Sequence, residues 1–253
     1  MKINKHFYTV TFIAVAIALI ISPAFGASKK MQNNRGAIGV QTGSSQVINN
    51  LPYEELSVEE ELGLIRMREE EKLARDVYAT LYEVWQKPVF NNISQSEQRH
   101  MNAVKGLIDK DGLIDPVRYS TVGVFTDPEF TGHYISLVEQ GSASLVEALF
   151  VGAFIEDLDI FDLQELLAQT DNEDITAVYE NLLRGSRNHM RAFTYQLSLN
   201  GETYVPQFIT QEEFDAIITS PRETGIRAGK KGASRTGGAN SGTCDGTGEC
   251  VNP

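Results

Sequence analysis

One long helical pattern, from Ser57 to Trp85, limits what this chain can fold into. Stepping along it by alternate threes and fours gives Leu64, Met67, Glu71, Ala74, Tyr78, Leu81 and Trp85. This is the seam of a helix that packs against other helices. It is apolar at every step except Glu71. An ionised carboxylate buried among helices costs several kcal/mol unless it is paired or bound to a cation. The same defect recurs on later segments. A second helix, expected at about Asn92–Asp109, has the seam Ile93, Glu97, His100, Val104 and Leu107. A third, starting at Ser142 or Ser144, carries Leu145, Leu149, Gly152, Glu156, Asp159, Leu163 and Leu166. A fourth, capped by Asp171 or Asn172 and ending before Gly201, carries Ile175, Tyr179, Leu182, Ser186, His189, Phe193 and Gln196.

Local punctuation supports these boundaries. Ser57 followed by Glu60 reads as a capping box, and the first helix should stop at about Gln86, before Pro88. Gly112, Pro116, Gly123 and Pro128 mark a long connection between the second and third long helices. It should contain a short helix at Pro128–Gln140, closed by Gly141. A last short helix is expected at Gln211–Ile218, and no run reads as a strand.

The flanks differ in composition. Lys2 and Lys5 precede an apolar run from Tyr8 to Ile21, and Ala24, Phe25 and Gly26 follow with a small-residue cleavage pattern. Residues 1–26 therefore read as a signal peptide. The expected location is outside the cytoplasm, periplasmic or extracellular, with no stable membrane association after cleavage. Residues 27–50 read as a flexible leader, 51–220 as the helical domain and 221–253 as a disordered Gly/Ser-rich tail. In that tail, Cys244 and Cys250 favour a local disulfide over a metal clip. The formal charge of -12 becomes -14 once Lys2 and Lys5 are removed with the signal. So acidic a chain argues against nucleic acid and anionic membrane as partners.

Glu97 and His100 are three apart, so one helical face offers an oxygen and a nitrogen to a single point. The candidate metal ligands are Glu71, Glu97, His100, Glu156, Asp159 and His189, and Asp157 is read as a solvent-facing neighbour. Glu71, Glu97, His100 and Asp159 each have a plainer alternative. Glu71 lies in an acidic run that could be a solvated face. Glu97 could close a capping box with Ser94, His100 could be an ordinary surface or core histidine, and Asp159 could pair with Arg184 or Arg187, while His133 on the short connecting helix reads as a surface residue. Tyr78 and Tyr179 read as core residues whose hydroxyls bond to the acids.

The run from Glu71 to Tyr78, with tyrosine seven residues after the acid, resembles the first-helix motif of rubrerythrin-type ferritin-like proteins. Glu97-Gln-Arg-His100 is similar to their second-helix motif, and Glu156 with Asp159 to the paired acids of their third helix. Residues 51–218 resemble an uncharacterised family of that superfamily, catalogued as a domain of unknown function. The resemblance implies an all-α, ferritin-like four-helix bundle with its long connection between helices 2 and 3. It also implies two bound iron ions, with manganese as the substitute, no organic cofactor, and a small oxidant as partner in oxidase or peroxidase-type chemistry. A homodimer is compatible with it. Where the family pattern places a second Glu-x-x-His glutamate, this chain has Ser186. That departure favours the other reading, a metal-free or structurally metallated interaction module of the cell envelope.

Overall fold

The computed structural model describes residues 54–224. Those residues form six helices and no strand: α1 (Val58–Trp85), α2 (Pro88–Asp111), α3 (Pro128–Ser142), α4 (Leu145–Gln169), α5 (Glu173–Leu199) and α6 (Gln211–Thr219). The expected signal peptide, the leader and the part of the tail that carries Cys244 and Cys250 lie outside the described residues, whereas Glu223, placed in the tail, is described and pairs with Arg187 and Arg191. None of the described helices is long and apolar enough to cross a membrane.

Capping chemistry sets the helix ends. The Glu60 amide donates to Ser57 Oγ at 3.2 Å, while the Ser57 amide donates to Glu60 Oε2 at 2.8 Å, so the expected capping box is formed. Gln86 ends α1 in the left-handed conformation (φ 51°), and Pro88 occupies the first turn of α2, where its missing N–H costs nothing. The second helix thus starts four residues earlier than expected. Glu97 lies well inside it, and Ser94 Oγ donates to the Arg75 carbonyl at 3.1 Å instead of capping. Gly112 (φ 71°) closes α2, Ser144 caps α4 and Asn172 precedes α5.

Contacts at both ends of each pair give the helix directions. Tyr78 on α1 reaches Gly152 on α4, and Gly63 reaches Leu166, so α1 and α4 run oppositely. Gly185 and His189 on α5 face His100 and Glu97 on α2, so these two also run oppositely. Arg75 meets Gln98 and Arg68 meets Met101, so α1 and α2 fold back on each other; Gly152 against Phe193 and Glu156 against His189 show the same for α4 and α5. The four long helices therefore run up, down, down, up. Their shared core includes Leu64, Met67, Phe90, Val104, Leu107, Leu149, Leu163, Leu182 and Phe193.

Two clasps complete the fold. Lys72, fully buried, pairs with Asp76, donates to the Thr121 carbonyl and lies 4.1 Å from the centre of the Phe125 ring, which fastens the α2–α3 connection to α1. Asp157 is also fully buried, contrary to the solvent-facing position expected for it. It accepts from Tyr204 Oη (2.9 Å) and from the amides of Gln207 (2.5 Å), Phe208 (3.2 Å) and Ile209 (3.1 Å), tying the segment after α5 onto α4. Four donors from one loop offset the burial of this charge.

Candidate metal centre

The seam residues converge at mid-height between α1, α2, α4 and α5. Glu71, Glu97 and Glu156 are each at most 1% exposed, a degree of burial that calls for compensation. Two groups form there: Glu71, Glu97 and His100, and Glu97, Glu156 and His189, each with ligand atoms within 4.8 Å of one another. Glu97 belongs to both. Its Oε2 lies 2.6 Å from His100 Nδ1 and its Oε1 lies 2.8 Å from His189 Nδ1. Outside it, Glu71 Oε2 is 3.3 Å from His100 Nδ1, and Glu156 Oε2 is 3.4 Å from His189 Nδ1. The arrangement is nearly symmetric about Glu97. The two imidazoles stack with ring centres 5.6 Å apart.

These close approaches lack hydrogen-bond alignment. Both oxygens of Glu71 and Glu97, Oε2 of Glu156 and Nδ1 of both histidines have no hydrogen-bond partner, although their neighbours are near enough in distance. Donor and acceptor therefore point toward common space rather than at each other. Ligands about 2.1 Å from one ion lie on the order of 3 Å from each other, which matches the observed spacings. Counted formally, Glu71, Glu97, Glu156 and Asp159 carry four negative charges, which two divalent ions would balance. On these grounds the residues fit a pair of hard or borderline cations.

Protonation follows from burial and neighbours. Burial, opposed by His100 and reinforced by Glu97, pushes Glu71 up to about 8. Burial opposes charge on Glu97, but the imidazoles of His189 and His100 hold it well below the usual carboxylate range. Burial works against the His189 imidazolium, yet Glu97 and Glu156 push it up to about 9. Burial, then the charge of Glu156, raises the Tyr78 phenol, whose hydroxyl donates to Glu156 Oε1 at 2.6 Å.

Five of the six expected ligands come together in the two groups, and Asp159 does not. It is 6% exposed with an unpartnered Oδ2, beside both groups without converging with either. Burial, and the charges of Glu71, Glu156, Glu97 and Glu70, push it well above the usual carboxylate range. Its suggested partner Arg187 instead pairs with Glu223. Ser186 donates to the Leu182 carbonyl at 3.2 Å and is turned back on its own helix. The whole acidic run Glu69, Glu70 and Glu71 is buried rather than solvated, and His133 lies 3.4 Å from Glu129.

Gly185 had no place in the sequence reading. A Cβ there would stand 2.5 Å from both Cε1 and Nε2 of His100, so the absent side chain makes room for the imidazole. The signal was available: a glycine inside a helix, costly to helix stability, four residues before a seam histidine.

An uncharacterised protein of Methanocaldococcus jannaschii is 55% identical over 181 residues, covering 72% of this chain and 98% of its own length. The crystal structure of a hypothetical protein from Methanococcus jannaschii matches with 56% identity and a TM-score of 0.68, over 69% of this chain and 99% of that one. The uncharacterised protein domain DUF2202 matches residues 60–221, and the chain belongs to that family.

Proposed function

We propose that this chain is a ferritin-like four-helix-bundle protein that holds a dinuclear non-haem metal centre, with iron as the ion pair and manganese as its substitute. The observation that carries the reading is Glu97, a buried carboxylate whose two oxygens face two separate Glu/His groups. The up, down, down, up order, with the long connection between the second and third long helices, supports the ferritin-like assignment. Glu71, Glu97 and His100 would hold one ion, and Glu97, Glu156 and His189 the other.

Iron bound there would supply electron exchange with dioxygen or peroxide, and the function proposed is oxidase or peroxidase-type redox activity in an exported protein. The protein's own groups shape that chemistry. Glu97 fixes the spacing of the two positions. Tyr78 holds Glu156 by its Oε1 and leaves Oε2 toward His189, while keeping a proton at its phenolic oxygen beside the site. The core around Tyr78, Phe193 and Phe90 keeps bulk water from the Glu156 side.

One observation favours a second reading, a structurally metallated helical interaction module. Ser186 is bonded to its own helix, so α5 offers His189 alone. Metal content of protein purified without chelator or affinity metal, beside a Glu97→Ala/His100→Ala double variant, tests the proposal. About two iron or manganese ions per chain, lost in the variant, is the expected result. Metal in neither protein after anaerobic ferrous iron would overturn it. Two tightly held ions that neither change oxidation state nor consume peroxide would leave the structural reading.

A further inference from the structure

The carboxylates of the candidate centre are at most 1% exposed, so cations must pass between the helices to reach them. One file of side chains links it to the surface along the α1–α4 seam. Glu165 on α4 is exposed, Asp162 one turn earlier is half-buried, and Glu70 on α1 and Asp159 on α4 are each 6% exposed. Each is an electrostatic neighbour of the next: Glu165 of Asp162, Asp162 of Glu70, Glu70 of Asp159, and Asp159 of Glu71, Glu97 and Glu156. Helix geometry explains the file, since Glu156, Asp159 and Asp162 are three apart on α4 and α1 runs oppositely beside them.

Acids alone would not make a cation route, but a second feature points into the file. The Tyr179 hydroxyl, on a residue 1% exposed, has no hydrogen-bond partner. It stands 3.4 Å from where a Cβ on Gly63 would lie, and the charges of Glu70 and Glu60 act on it. A buried phenol without a partner is costly unless it is filled by a transient ligand or water. Oε2 of Glu70 and Oδ2 of Asp162 and Asp159 also lack hydrogen bonds. Arg66, at the half-exposed outer end, is the cation that acts on both Glu70 and Asp162, and its Nε is 2.8 Å from Glu70 Oε1.

We propose that Asp162, Glu70 and Asp159, with the Tyr179 hydroxyl, form an uptake route that passes divalent cations from the surface to the Glu71/Glu97/Glu156 centre, with Arg66 as its gate. The geometry suits passage rather than retention. Among the described residues only the two groups around Glu97 converge closely enough to hold an ion, and the file's carboxylates are strung along the helix instead. A line of buried acids focuses the field and raises local cation concentration, while Arg66 moving off Glu70 exposes the next oxygen pair. The inference rests on the proposed dinuclear centre.

The test is uptake of Mn²⁺ by the chelator-treated full chain, followed by stopped-flow EPR as the loss of the free-ion signal. Wild type is compared with Asp162→Asn, Asp162→Glu, and Glu139→Gln as an exposed control of equal charge change. We expect about two ions per chain in all four at equilibrium, with uptake roughly tenfold slower in Asp162→Asn and near wild type in the other two. A wild-type rate in Asp162→Asn, or equal slowing in Glu139→Gln, overturns the route and directs attention to the His100 edge beside Gly185. Fewer ions at equilibrium in Asp162→Asn also overturns it, because Asp162 would then retain rather than pass cations. If the wild type takes up none, the dinuclear reading falls and the route with it. Two ions bound with an unchanged rate defeats the route alone.

Discussion

Replacing Gly185 by alanine should separate metal binding from folding. The added Cβ would stand 2.5 Å from Cε1 and Nε2 of His100, while ordinary contact begins near 3.4 Å, so something must yield by about 0.9 Å. The neighbour that can move is the imidazole. Metal–ligand distances tolerate only about 0.2 Å, several times less than that displacement. The Glu71/Glu97/His100 group should therefore lose affinity by about 10–100-fold, as when a ligand's positioning partner is removed. The other group does not contain His100 and should keep its ion. Folding should change little, because alanine in a helix interior gains about 1 kcal/mol over glycine and crowding costs about 1–3 kcal/mol. Calorimetric titration of the chelator-treated protein with Mn²⁺ reads both sites, and urea unfolding reads stability. Two ions at wild-type affinity would refute the reasoning, as would loss of both ions together with loss of the fold.

Asp157→Ala removes the acceptor of four donors and leaves them buried, so stability should fall by about 3–5 kcal/mol in urea unfolding, with metal stoichiometry retained in the folded fraction. Tyr78→Phe leaves Glu156 Oε1 without its donor and should cost about 1–3 kcal/mol, read by the same titration. For the chelator-treated protein, Glu71 (raised to about 8) and His189 (raised to about 9) both bind protons more tightly folded than unfolded. The histidine's contribution is complete below its unfolded value near 6.5 and is lost as pH rises through 9, and Glu71 adds a loss of the same sign that runs from its unfolded value near 4.5 up to about 8. Melting temperature should therefore fall between pH 6.5 and 9. With Mn²⁺ present the trend should reverse, because protons compete with the metal. A rise with pH in the chelator-treated protein would contradict the ion-pair geometry around Glu97.

How much could be read without coordinates depended on whether the signal was local. Helix seams and caps are properties of a few adjacent residues, so the Ser57/Glu60 box, the seam positions of Glu71, Glu97, His100, Glu156 and His189, and the end of α1 before Pro88 were legible. The start of α2 was misplaced because Pro88, read as a stop, also serves as a first-turn residue. Asp157 was misread for a different reason: its donors come from residues 204–209, about fifty positions away, and no local pattern reports them. The burial of Glu69 and Glu70 likewise needed the α2–α3 connection and α4 to be in place.

The sequence by itself determined that helices form, where most of them begin and end, and which polar residues lie on otherwise apolar seams, because helical period and capping act within one or two turns. Only the tertiary structure decided that Glu97 faces two histidines from different helices, that Asp159 lies beside the pair of groups rather than in either, and that Gly185 makes room for His100. Those relations depend on the rotation and offset of one helix against another, set by the packing of side chains such as Phe193 against Gly152 and Leu166 against Gly63.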